Sequence, residues 1–253
     1  MPLNLGPNTN APAAVLHERC ILCAGEDRQE LLRALADVRP EQARMEWRYR
    51  GYEFWRFADF CMILAGLGSG SLEPLMFEAL RPGIIRKIVL VGTAGSMPDA
   101  QVELTAAHLI DPAWPAATAI DGEVGELPLR PRWSRPTSIK TASGVSSDFF
   151  YGFAPRVLSN DYPIRTRHLR ALFEQHLRLG TQLVDMEAAQ FYFFCTYLGG
   201  SSLEYAAVKA VANAVGGEAE QSPNTRKAIA NCLTLAFRLL DLPHHAAPSF
   251  AGR

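Results

Sequence analysis

Short apolar runs closed by glycine or proline recur along this chain, at about 20–24, 60–66, 87–92, 106–110, 139–144, 182–186 and 204–212, with segments of helical periodicity between them. Apolar runs of this length bounded by turn residues are the pattern of buried strands. The periodicity predicts helices over 28–38, 71–80, 166–179, 187–198 and 223–240, the last with Ser222 as N-cap and Pro223 at its first helical position. Strand and helix in alternation point to an α/β layered fold. The expectation is a three-layer single domain over 1–253, with a central mixed β-sheet flanked by helices and weakly ordered ends at about 1–15 and 244–253. Segment 111–136, rich in Pro, Trp and Arg and without a clear period, is expected to be a long loop bordering a site.

Composition narrows the function classes. Lys and Arg number 25 against 26 Asp and Glu, a formal net charge of −1, so no polyanion-binding surface is implied and nucleic acid is not an expected partner. Apolar stretches such as 61–66 fall well short of the roughly 20 residues a bilayer span requires, so no membrane partner is expected. The first nineteen residues lack a basic start followed by a long apolar region, so a cytoplasmic address is expected. Five cysteines, 20, 23, 61, 195 and 232, lie mostly inside apolar runs and are expected to be reduced core residues. Cys20 and Cys23 form a C-x-x-C, but inside a strand-like run and without a second pair, so no metal site is expected.

Five stretches carry residues suited to chemistry. In 62–71 a strand enters a turn with glycines at 66, 68 and 70 that opens a helix, so backbone amides and the positive helix end can face an anion or a sugar hydroxyl. In 87–95 a second strand runs into Gly-Thr-Ala-Gly, and Thr93 adds a hydroxyl on the same carboxyl edge of the sheet. In 143–151 a strand meets Ser, Ser and Asp and then Phe149, Phe150 and Tyr151, aromatics suited to stacking on a flat heterocycle or to closing the core. In 183–190 two carboxylates, Asp185 and Glu187, bracket Met186 at a strand–helix junction; each must be hydrogen-bonded or ligand-paired, and helix capping accounts for one of them. Asn213 ends an apolar strand on the same edge.

Taken in order, these motifs resemble those of the nucleoside phosphorylase family, which includes purine nucleoside phosphorylase, uridine phosphorylase and the methylthioadenosine/S-adenosylhomocysteine nucleosidases. The resemblance runs over about 20–240, and its most specific parts are Val-Asp-Met-Glu-Ala-Ala, Val-Gly-Thr-Ala-Gly and Ser-Ser-Asp-Phe-Phe-Tyr. It implies a nucleoside phosphorylase-like fold and a pentosyltransferase that uses phosphate as co-substrate, with no cofactor, to release free base and (deoxy)ribose 1-phosphate. A nucleosidase using water and a catalytically silent nucleoside-binding protein are the alternatives. By the same likeness, Glu187 with Met186 and Asp185 binds the ribose hydroxyls, and Arg28, Thr93, Gly25 and Gly68 hold phosphate. Phe149, Phe150, Tyr151, Arg156 and Asn213 face the base, and Asn213 joins Glu187 as a catalytic residue.

Four departures bear on the reaction. Asn213 stands where adenine-preferring members have Asp, and Ala154-Pro-Arg156 is a reduced form of the uridine phosphorylases' Gln-x-Arg. Leu90 replaces an arginine of the phosphorylases, and Arg28 falls where nucleosidases place a water-activating Glu. The resemblance also implies a homo-oligomer, a dimer or a trimer of dimers, in which Arg44, Arg48, Arg50 or His17 could reach a neighbour's site. On the sequence alone, Glu187→Gln is expected to lose most activity and leave the melting temperature nearly unchanged.

Overall fold

The computed structural model describes residues 4–118, 120, 128–133, 139–149, 167–214 and 222–245. Among the described residues, nine strands form one mixed sheet. They are β1 (Arg19–Ala24), β2 (Met45–Tyr49), β3 (Tyr52–Arg56), β4 (Cys61–Ala65), β5 (Lys87–Ser96), β6 (Ala107–Pro115), β7 (Thr141–Ser146), β8 (Leu183–Asp185) and β9 (Glu204–Ala214). The order is β2-β3-β4-β1-β5-β8-β7-β6-β9, and β9 also pairs with β5, so the last five strands close into a barrel while the first four extend from it as an open wing. β1 runs parallel to both β4 and β5, and each residue of β4 is buried, as expected for strands covered on both faces.

Two helical layers supply that cover. Helices α1 (Arg28–Val38) and α5 (Ser222–Leu239) pack on one face, where Leu31, Leu35, Ile229, Leu233 and Phe237 meet Ile21, Val89 and Val208. Helices α2 (Ser69–Leu80) and α4 (Ala188–Leu198) pack on the other, where Leu72, Met76 and Phe191 meet Leu22, Ile63 and Leu90. Helix α3 (Arg167–Arg178) has a smaller core of its own, with Phe173 against Met97 and Val145. The five cysteines are free and buried. No helix among the described residues is long and apolar enough to cross a membrane.

The α/β class and the strand–helix alternation hold, with four corrections. Segment 45–56 forms an antiparallel hairpin that periodicity missed, because aromatics and charges alternate there and the apolar run is broken; Arg50 (φ 52°) and Gly51 make its turn. β6 continues to Pro115 through the expected loop, since a bulge between Ile110 and Ala113 leaves Pro112 without need of a ladder N–H. β5 runs to Ser96, so Gly92–Gly95 belongs to a strand with an irregularity at Ala94/Gly95 and is not a turn after it. The N-terminal residues from Leu5 are packed, not loose: Leu5, Ala11 and Val15 are fully buried, and the buried Glu78 of α2 accepts four hydrogen bonds from Asn8 and Thr9.

Candidate active site

The carboxyl ends of β1 and β8, the middles of β5 and β9 and the turn before α2 converge on a cluster of charge. Lys209, in the middle of β9, is 1% exposed, and its ammonium lies 2.9 Å from Glu187 Oε2 and 3.2 Å from Asp185 Oδ2. An isolated ammonium in that position would be expelled or neutralised. Burial works against its charge, but Glu187 and then Asp185 hold its pKa above the ordinary lysine value.

Each acidic partner is further fixed by the elements that carry it. Glu187 is the N-cap residue of α4, and its Oε1 accepts the Gly68 N–H at 3.1 Å. Burial pushes the Glu187 carboxyl above its usual pKa; Lys209 opposes the shift and Asp185 adds to it. Asp185 ends β8, where Oδ1 accepts the Ser146 hydroxyl at 2.5 Å and Oδ2 accepts the Ala188 N–H at 2.9 Å. Capping of α4 therefore accounts for Asp185. Met186, between the two, is half-buried.

A third carboxylate completes the cluster. Glu26 Oε1 accepts the Thr93 N–H at 2.5 Å. A Cβ at Gly92 would stand 2.8 Å from Glu26 Oε1 and 3.1 Å from Lys209 Nζ, so glycine at 92 is what allows both groups to approach the same stretch of β5. Burial raises the Glu26 carboxyl to about 7, against the pull of Lys209 and of the Thr93 amide and hydroxyl. Three carboxyl groups thus face one ammonium.

The residues expected from the sequence divide into four groups. Gly25, Gly68, Thr93 and Glu187 come together: Gly25 (φ +74°) and Gly68 (φ +75°) take backbone conformations that suit glycine, and a Cβ at Gly25 would lie 3.5 Å from Glu187 Oε1 and collide with Leu67. Asn213 stands half-buried on β9 opposite Gly95, and Phe149 is 40% exposed beyond β7. Phe150, Tyr151 and Arg156 lie outside the described residues. Arg28 goes elsewhere. Its Nε bonds Glu53 Oε2 at 2.8 Å and its guanidinium lies over Trp55, on the open wing of the sheet. Leu90 is fully buried in the apolar core.

The consecutive residues Glu26, Asp27 and Arg28 leave the end of β1 in three directions. Asp27 caps α1 by accepting the Gln29 and Glu30 N–H groups, Arg28 turns outward, and Glu26 turns onto Thr93. Periodicity carries no signal that ranks the three, and Glu26 was missed. Lys209 was also missed although a signal existed: one lysine among the apolar residues of 204–212 requires a buried counter-charge, and Asp185 and Glu187 were the unexplained carboxylates. Of the other candidates for a neighbour's site, Arg48 lies 3.3 Å from Glu53, Arg50 lies over Tyr49, and His17 Nδ1 accepts the Arg19 N–H.

Neither a protein-family model nor a curated protein sequence matches the chain. Solved structures do match. Purine nucleoside phosphorylase from Toxoplasma gondii, in complex with immucillin-H, is similar over 94% of this chain and 99% of its own at 15% identity, with a TM-score of 0.66. A 5'-methylthioadenosine/S-adenosylhomocysteine nucleosidase from Colwellia psychrerythraea, in complex with adenine, covers 89% of this chain and 95% of its own at 14% identity, with a TM-score of 0.63. The P. knowlesi homologue of P. falciparum PNP covers 93% and 94% at 13% identity, with a TM-score of 0.64. The barrel with its open wing and two helical layers is therefore the fold that purine nucleoside phosphorylases share with methylthioadenosine/S-adenosylhomocysteine nucleosidases.

Proposed function

We propose that this chain cleaves the N-glycosidic bond of a nucleoside, with water as the nucleophile. One observation carries the choice of water. The backbone amides that the sequence offers to phosphate already hold the chain's own carboxylates: Thr93 holds Glu26, Gly68 holds Glu187 and Ser69 holds Asp148. A phosphate dianion placed among them meets like charge, and each pair of unit charges about 4 Å apart costs about 4 kcal/mol at an effective dielectric constant of about 20. With Arg28 on Glu53 and an apolar Leu90 in the core, Lys209 is the cation that faces this cluster among the described residues, and it is already shared by two carboxylates.

The same charge favours the chemistry of hydrolysis. As the C1′–N bond breaks, its electron pair leaves with the base and positive charge builds on the sugar, which a negative pocket stabilises. Glu187, oriented by Gly68 and Lys209, accepts the ribose hydroxyls. Glu26, with a pKa of about 7, is matched to removing a proton from water near neutral pH. The water oxygen bonds C1′, its proton passes to Glu26, and Asn213 donates a hydrogen bond to the departing base without transferring a proton. The base takes its proton from solvent. The presence of an adenine complex and an immucillin-H complex among the fold neighbours supports a nucleoside as ligand.

Phosphorolysis is the second reading, favoured by the donors gathered at Thr93 and Gly68, and it requires Glu26 to leave the Thr93 amide. Product identity separates the two. Adenosine, methylthioadenosine, inosine and uridine are incubated with the protein, with and without phosphate, and base and sugar are resolved by chromatography. Free base with free sugar at a rate indifferent to phosphate is expected. Sugar 1-phosphate formed only with phosphate would replace hydrolysis by phosphorolysis. Nucleoside binding without base release would leave a silent binder.

A further inference from the structure

We propose that Asp148 is a positioning residue that aims the Glu187 carboxylate through the Gly68–Ser69 segment; its catalytic part rests on the reading of Glu187 as the ribose-binding group. Asp148 follows β7 and reaches across to the start of α2, where Oδ1 accepts the Ser69 N–H at 3.0 Å and Oδ2 accepts the Ser69 hydroxyl at 2.7 Å. The preceding amide, Gly68 N–H, points to Glu187 Oε1 at 3.1 Å. Two successive amides of one turn therefore hold two carboxylates from two distant parts of the chain.

The Ser71 hydroxyl bonds the carbonyls of Gly66, Leu67 and Gly68, and among the described residues Asp148 is the side chain that accepts the Ser69 amide of this turn. Gly68 is the N-cap residue of α2 and has no side chain with which to cap it, while its φ of +75° suits glycine. A serine or aspartate at 68 would cap the helix locally but would lose that backbone direction, and with it the hydrogen bond to Glu187. The cap is supplied from outside instead, and a Cβ at Gly68 would stand 3.2 Å from Asp148 Oδ1, so the carboxylate is seated against the glycine itself. The root of Asp148 is fixed in turn, because Ser147 N–H bonds Asp185 O at 2.9 Å and Ser146 Oγ bonds Asp185 Oδ1. The end of β7 thus braces Asp185 on one side and, through Ser69 and Gly68, Glu187 on the other.

A helix cap alone would affect stability and nothing else. A positioning residue also affects how Glu187 meets the 2′ and 3′ hydroxyls, so its loss should weigh more on ribonucleosides than on 2′-deoxyribonucleosides, which give Glu187 less to grip. The test compares Asp148→Ala and Asp148→Asn with the parent, by base release from paired ribo- and deoxyribonucleosides and by hydrogen exchange of the Gly68 amide in NMR. Asp148→Ala is expected to lower kcat on the ribonucleoside about tenfold or more with a smaller change in KM and a smaller loss on the deoxy substrate. Gly68 exchange should rise about tenfold while β1 and β5 keep their protection. Asp148→Asn should restore most of both, since an amide can still accept from the Ser69 N–H and donate to its hydroxyl. A lower melting temperature with unaltered Gly68 exchange and an unaltered ribo-to-deoxy ratio would reduce Asp148 to a cap. If the parent releases no base from any nucleoside, the functional reading falls, and Gly68 exchange alone decides whether Asp148 holds the turn.

Discussion

At the scale of single residues, the proposed chemistry turns on Glu26 and Glu187, which the protein holds in different ways. Glu26 is held by the amide and hydroxyl of Thr93 and has a raised pKa, so kcat/KM should climb through an apparent pKa of about 7 as the carboxylate ionises. Glu26→Gln should lower kcat by about 10²–10⁴-fold and abolish that limb in a pH–rate profile. A profile still rising through neutrality in the variant would assign the titration to another group. Glu187 is different because its carboxylate is half of the answer to a buried ammonium. Glu187→Gln should cost activity, as the sequence suggests, but the melting temperature should fall as well. With Asp185 still beside Lys209, a loss of about 2 kcal/mol is expected, less than the roughly 3–5 kcal/mol that breaking a buried pair outright costs, measurable by denaturant titration.

At the scale of elements, β9 shows how one strand can be read correctly and still conceal its function. Its apolar residues mark it as a central strand, and it pairs with both β5 and β6. What the pattern does not say is that Lys209, opposite Gly92, faces the two carboxylates at the β8–α4 junction. Lys209→Met keeps the length and removes the charge, leaving Asp185 and Glu187 buried beside each other without their shared cation. A destabilisation of about 3–5 kcal/mol is expected, together with a rise in the apparent pKa of Glu187, since its largest favourable charge is gone. Unchanged stability in a urea titration would mean that solvent or rearrangement already screens the cluster.

At the scale of the molecule, the half-buried Glu26 and the buried His176 set opposing slopes in the dependence of stability on pH. Glu26 titrates at about 7 in the fold and near 4.5 when unfolded, so the stability it allows is full below that lower value and is lost as pH rises through 7. His176, whose imidazole burial lowers from 6.5 to about 4, works the other way, since its contribution is present above 6.5 and is lost as pH falls toward 4. The two partly cancel between about 4.5 and 6.5. Removing Glu26 removes one slope: Glu26→Gln should be more stable than the parent above pH 7, and its stability should fall more steeply than the parent's as pH drops from 6.5. Melting curves across pH 4.5–8 check this, and parallel curves for parent and variant would contradict it.

The sequence by itself determined the strand–helix alternation and most strand centres, because periodicity and glycine at strand ends are local consequences of backbone geometry and two-sided burial. It could not decide the closure of β9 onto β5, which depends on pairing between strands far apart in the chain and leaves no periodic trace. Nor could it decide which of Glu26, Asp27 and Arg28 turns inward, since that follows from where α1 begins relative to the end of β1. Only the tertiary structure gathers Glu26, Asp185, Glu187 and Lys209, and their mutual electrostatics, strengthened by exclusion of water, decide what charge the site accepts.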